Sequence, residues 1–263
     1  MREFLSLRVE HFLGELHLTK RDHSKNDVKP VADQQSGKTP AVTDDVENFL
    51  AQLKSTPVPA TAGRGKLVFA MDATMSRQPS WDAALQTQAE MFREAGRIGG
   101  LDVKLIYFRG FGECRASKWV SNADSLARLM TTVDCRGGNT QIAKVLKHIR
   151  KEAQSKRVNA VVYVGDCMEE NIDQLCQQAG EIGLLGVRMF MFQEGHDPVA
   201  QKAFREIARL TGGAYSRFDS GSADHLRELL SAVAVYAAGG RAALEHYTGN
   251  QKNGVRGLLE QMS

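Results

Sequence analysis

The chain has 263 residues, of which 42% are apolar and 25% charged, and its formal net charge is +3. That length buries a substantial core in one large domain or two small ones, and the composition is that of a soluble globular protein. So small a charge lacks the concentrated positive field of a protein built to grip nucleic acid, and no apolar run is long enough to span a bilayer.

Residues 1–18 place Phe4, Leu5, Val9, Phe12, Leu13 and Leu16 at helical spacing, which predicts an amphipathic helix for docking or partner binding. Arg8, Glu10, His11 and Glu15 interrupt the apolar run that a secretory signal needs, so a cytoplasmic location is expected. The four cysteines lie far apart without zinc-type spacing and read as reduced thiols, with a Cys114–Cys135 pair left open for an oxidising setting. Residues 19–63 read as a flexible linker. Within it a helix near 44–54 carries Val46, Phe49, Leu50 and Leu53 on one face and ends at Pro57 and Pro59.

The main domain is expected over 64–238. Leu67–Met71, Val103–Phe108, Val158–Val164 and Val187–Phe192 are continuous apolar runs of strand length, suited to strands buried on both faces. Helical stripes lie between and after them: Trp81, Ala84, Leu85, Phe92 and Ala95, then Ile142, Val145, Leu146 and Ile149, then Ala203, Phe204, Ile207 and Leu210. A further stripe runs through Leu226, Leu229, Leu230 and Val233. The alternation predicts an α/β fold, a doubly wound, mostly parallel sheet with helices on both faces. Only Gly110-Phe111-Gly112 separates the strand ending at Arg109 from Glu113–Val120, which predicts a hairpin and one antiparallel edge strand. Residues 239–263 read as a loosely held tail, weakly helical around Leu258 and Leu259.

Ligands of such sheets gather beyond the carboxyl ends of the strands. There the sequence delivers Asp72-Ala73-Thr74-Met75-Ser76, then Gly137-Gly138-Asn139-Thr140, then Val164-Gly165-Asp166. Two carboxylates and three hydroxyls are hard oxygen donors, suited to Mg2+, Mn2+ or Ca2+. Each residue alone also fits as a helix cap.

Asp72, Thr74 and Ser76, followed by Thr140 and then Asp166, resemble the metal-ion-dependent adhesion site of the von Willebrand factor A-type (VWA) family. The resemblance covers roughly residues 64–238 and is closest to stand-alone intracellular bacterial members. It implies a Rossmann-like fold and a non-enzymatic module in which Asp72, Thr74, Ser76, Thr140 and Asp166 hold a divalent cation, Mg2+ first. It further implies a protein partner that presents Asp or Glu to the metal, with AAA+ ATPases and multiprotein assemblies as the family's common company. Thr140 is then expected to contact the metal only, or more tightly, when an outside carboxylate is bound.

Arg109, Glu113, Glu169, Glu170, Glu194 and His196 fall on the same rim and are read as partner-selecting groups. Asp197 before Pro198 reads as a helix cap. The alternative is a magnesium-dependent phosphohydrolase of haloacid dehalogenase type, with Asp72 as nucleophile and Glu169 or Glu170 in its acidic motif. Thr74 and Ser76 stand where such an enzyme places a second acid, and the second strand ends without a phosphate-holding hydroxyl.

Overall fold

The computed structural model describes residues 47–52, 63–219 and 223–261, the last with side chains to residue 247. The helix expected over 1–18, and the linker expected over 19–63 apart from 47–52 and 63, lie outside the described residues.

The sheet has six strands: β1 (Gly65–Asp72), β2 (Leu101–Arg109), β3 (Glu113–Val120), β4 (Ala160–Gly165), β5 (Arg188–Glu194) and β6 (Ala214–Phe218). Their order is β3-β2-β1-β4-β5-β6. Every pairing is parallel except β2 with β3, so β3 is the antiparallel edge strand that the short Gly110-Phe111-Gly112 turn requires. The helices are α1 (Gln78–Gly96), α2 (Ala123–Thr131), α3 (Ile142–Ser155), α4 (Ile172–Leu184), α5 (Pro198–Leu210) and α6 (Ala223–Gln261).

All six residues of β4 are buried, because side chains of a central strand alternate between two covered faces. Val162 and Val164 enter one core with Phe69, Met71 and Trp81 and with Leu230 and Val233 of α6. Val161 and Tyr163 enter the other with Ile142, Leu146, Leu175 and Phe204 from α3, α4 and α5. Each fully buried Val, Leu, Ile or Phe contributes about 1.5–3 kcal/mol over exposure, so two filled cores hold the strand ends firmly.

The structure adds to the sequence reading at three places. Residues 47–52 are helical, and Phe49, 1% exposed, packs edge-on against Phe192 with ring centroids 5.3 Å apart. Part of the stretch expected as linker is therefore core. Strand β6 had no expectation, since Ser216 and Arg217 interrupt its apolar pattern. The stretch from 239 continues as helix to Gln261 after a break at Gly240 (φ 77°), and Leu244 is buried in the first core. Close packing of α6 on β1 depends on Gly65, where a β-carbon would lie 2.2 Å from the carbonyl oxygen of Ala237.

Candidate metal centre

Strands β1 and β4 lie side by side, with Met71 opposite Val164, so their carboxyl ends bring Asp72 and Asp166 into one cleft. The chain after Asp72 is pinned twice. The Ala73 amide donates to the Phe108 carbonyl (2.9 Å), and its own carbonyl accepts from the Arg136 amide (3.0 Å). The Thr74 amide donates to Asp72 Oδ1 (2.7 Å), and a short 3-10 turn over Met75–Arg77 follows. This turn carries the Ser76 hydroxyl to Asp166 Oδ2, which it reaches at 2.8 Å. Ser76 Oγ also lies 3.3 Å from Thr74 Oγ1. Asp72, Thr74, Ser76 and Asp166 are thus joined in one hydrogen-bonded group.

Thr140 is buried nearby but bonds elsewhere. Its hydroxyl accepts from the Glu169 amide (3.1 Å), and its own amide donates to the Glu169 carboxylate (3.1 Å). Glu170 accepts from the first amides of α3, those of Ile142 and Ala143, the latter at 2.9 Å. A carboxylate from the Asp166 loop therefore caps α3, where unpaired amides and the helix dipole favour negative charge.

The helix-cap alternatives find no support in this geometry. Thr74 makes no side-chain capping bond. Asn171 rather than Asp166 caps α4, and Gln141 rather than Thr140 stands at the cap position of α3. Asp197 does cap α5, accepting from the Ala200 amide at 2.6 Å.

The electrostatics are uneven. Asp72 is 1% exposed. Burial is the main cause that pushes its carboxyl up from 3.8 to about 6, with the Asp166 charge adding to it against the Thr74 and Arg77 contributions. Burial works against the Asp166 charge as well, but Arg77 and the Ser76 hydroxyl outweigh it and hold that carboxyl below its ordinary value. Asp72 Oδ2 and Asp166 Oδ1 are both buried and accept no hydrogen bond. Leaving charged oxygens in that state is costly, and a cation between them removes the cost.

Sequence reasoning missed Arg77. It is 2% exposed, its Nη1 lies 3.5 Å from Asp166 Oδ2, and its Nη2 is ion-paired with Glu194. The Ser80 hydroxyl bonds to both members of that pair. Glu194, expected on the rim, is instead 7% exposed and works as the buried counter-ion of Arg77. Cys167 directly follows Asp166. One oxygen each from Asp72 and Asp166 lies with Cys167 Sγ in a group whose members are all within 4.8 Å of one another.

The remaining rim residues divide. Arg109 is held by Glu113 (Nε to Oε2, 3.0 Å) and by the Asp134 carbonyl (2.8 Å). Glu169 and Glu170 tie down the Thr140 loop, as described. His196 is exposed, with Nδ1 4.0 Å from Asp219 Oδ1. Two large apolar side chains stand free on this rim, Met75 (64% exposed) and Phe111 (87% exposed). The four cysteines are free thiols.

No protein-family model matches the sequence, and no curated protein matches it. Solved structures do share its fold. A von Willebrand factor type A protein from Catenulispora acidiphila aligns with a TM-score of 0.52 at 13% identity, over 68% of this chain and 43% of that one. The SpRpn10 VWA domain aligns with a TM-score of 0.51 at 12% identity, over 64% of this chain and 92% of the domain. Proximal thread matrix protein 1 from the mussel byssus, in a structure with a zinc-occupied MIDAS motif, aligns with a TM-score of 0.52 at 13% identity. That alignment covers 66% of this chain and 46% of the mussel protein. The chain has the fold of a VWA domain, and it spans less than half the length of the Catenulispora and mussel proteins.

Proposed function

We propose that this chain is a metal-dependent protein-binding module. Asp72 and Asp166 hold a divalent cation with the hydroxyls of Thr74, Ser76 and Thr140 around it, and the cation captures an Asp or Glu carboxylate of a protein partner. The observation that carries the reading is the pair of buried, unpaired oxygens, Asp72 Oδ2 and Asp166 Oδ1, on adjacent strand ends. A dication supplies what both lack, and neutral hydroxyl neighbours leave it demanding a further anion. The mussel protein that shares this fold carries zinc in its motif, and oxygen donors alone favour Mg2+ or Mn2+, with Ca2+ also suited. Met75 and Phe111 give the partner apolar ground beside the ion, as protein interfaces commonly do.

Nothing observed supports the phosphohydrolase alternative. Strand β2 ends in Arg109, and its guanidinium is engaged by Glu113 and Asp134 rather than turned to Asp72. Phosphomonoesters are expected to remain intact in the protein's presence.

The test is a thermal melt across a metal titration. Binding confined to the folded state adds about 2.7 kcal/mol at a hundred times Kd, and Asp166→Ala is expected to abolish that gain. A wild-type melting temperature indifferent to millimolar dication would overturn the reading. Partner capture with and without chelator then separates the roles. Asp72→Ala is expected to lose metal and partner alike, whereas Thr140→Ala, whose hydroxyl bonds to the Glu169 amide, is expected to lose mainly the partner.

A further inference from the structure

We propose that Cys167 is a third protein ligand of this ion, so that the centre selects zinc, or a similar thiolate-accepting dication, over magnesium. The proposal rests on the metal-binding reading above and adds the identity of the ion.

Three observations carry it. Cys167 Sγ and one oxygen from each of Asp72 and Asp166 all lie within 4.8 Å of one another, close enough for small side-chain rotations to bring them onto one ion. At metal–oxygen distances of about 2.0–2.2 Å and a metal–sulfur distance of about 2.3 Å, side-chain rotations of roughly 1 Å close the group on a zinc ion. The same two carboxylates keep a buried oxygen without a partner, and Asp72 is 1% exposed, so the charge needed for a dication is already in place. Finally, Arg77 occupies only one side of Asp166, with Nη1 3.5 Å from Oδ2 where Ser76 also bonds, and leaves Oδ1 to the ion.

The chemistry of this donor set differs from that of the oxygen-only set. Magnesium demands near-octahedral oxygen coordination and gains nothing from sulfur. Zinc would accept the Asp72 and Asp166 carboxylates and the Cys167 thiolate as three protein ligands and would leave room for the partner carboxylate of the proposed function. Its binding would release the Sγ proton to solvent. Thr74, through its amide, and Ser76, through its hydroxyl, then orient the two carboxylates as their hydrogen-bond donors.

The experiment loads the full chain with Co2+, a spectroscopic substitute for zinc, and measures zinc and magnesium affinities of wild type, Cys167→Ser and Cys176→Ser. Wild type and Cys176→Ser are expected to show thiolate-to-cobalt charge-transfer absorption, and Cys167→Ser to lack it. An outer hydrogen-bond partner of a ligand is worth about 10–100-fold in metal affinity. Removing a direct ligand is expected to cost zinc at least that much and to leave magnesium affinity nearly unchanged. Alkylation of the wild type read by mass supplies a measurement that needs no variant, with zinc expected to protect Cys167 and to leave Cys176 reactive. Cobalt bound without the sulfur absorption, or zinc that leaves Cys167 reactive, would overturn this proposal alone. Failure of the wild type to bind any dication would overturn the metal-binding reading with it.

Discussion

Asp72 is held in the fold at a cost. Its carboxyl titrates near 6, against an ordinary 3.8, so folding takes up a proton between those values. The metal-free protein therefore loses stability as pH rises from about 4 to above 6, by about 3 kcal/mol from this group. Asp72→Asn is expected to be the more stable protein at pH 7.5 in chelator, with the difference vanishing below pH 4. Urea unfolding of the two proteins across pH checks this, and a difference independent of pH would contradict it. Arg77 is the converse case. Removing one member of a buried pair costs about 3–5 kcal/mol, so Arg77→Met is expected to destabilise by that order, and Glu194→Gln added to it to restore much of the loss. That Asp72, Thr74, Ser76 and Asp166 come together was legible in the sequence because each lies at or shortly after a strand end. The places of Arg77 and Cys167 were not, and Glu194 was picked out as a rim group rather than as the buried partner of Arg77. Ser80, which bonds to the Arg77–Glu194 pair, stands 114 positions before Glu194, and no local pattern reports such a meeting.

At the level of elements, the Thr140 loop is fastened rather than loose. A β-carbon on Gly138 would lie 2.1 Å from the Gly110 carbonyl oxygen, so this glycine serves a close approach between the loop and the β2–β3 hairpin. The Gln141 side-chain amide donates to the carbonyls of Arg109 and Gly110 across the same contact. Gly138→Ala is expected to push hairpin and loop apart, to cost about 1–3 kcal/mol as overpacking does, and to weaken partner capture. Thermal melts with and without dication check the first effect, and chelator-controlled capture checks the second. The sequence showed the glycine pair but not its reason, because flexibility and close approach demand the same residue. Strands were the easier reading. β1, β4 and β5 are buried on both faces and so carry continuous apolar runs, Leu67–Met71, Ala160–Val164 and Met189–Phe192, whereas β6 at the edge needs fewer apolar residues and left too faint a signal.

For the molecule as a whole, the strand order decides when the metal centre can exist. β1 pairs with β2 on one side and with β4 on the other, and it is the second pairing that brings Asp166 to Asp72. Ser76 and Asp166, which meet there, are 90 residues apart in sequence. Closing so long a loop is among the slower contacts of folding. A chain that has not yet aligned β1 with β4 offers the ion no assembled site, so the ion acts on the finished fold and not on the route to it. Dication is therefore expected to slow unfolding and to leave the refolding rate nearly unchanged, as stabilisation absent from the transition state does. Stopped-flow unfolding and refolding in urea, with dication and with chelator, measure both rates. Faster refolding in dication would mean that β1 and β4 already meet at the barrier. On the expected outcome the bound ion acts as a kinetic lock, lengthening the life of the folded state without hastening its birth.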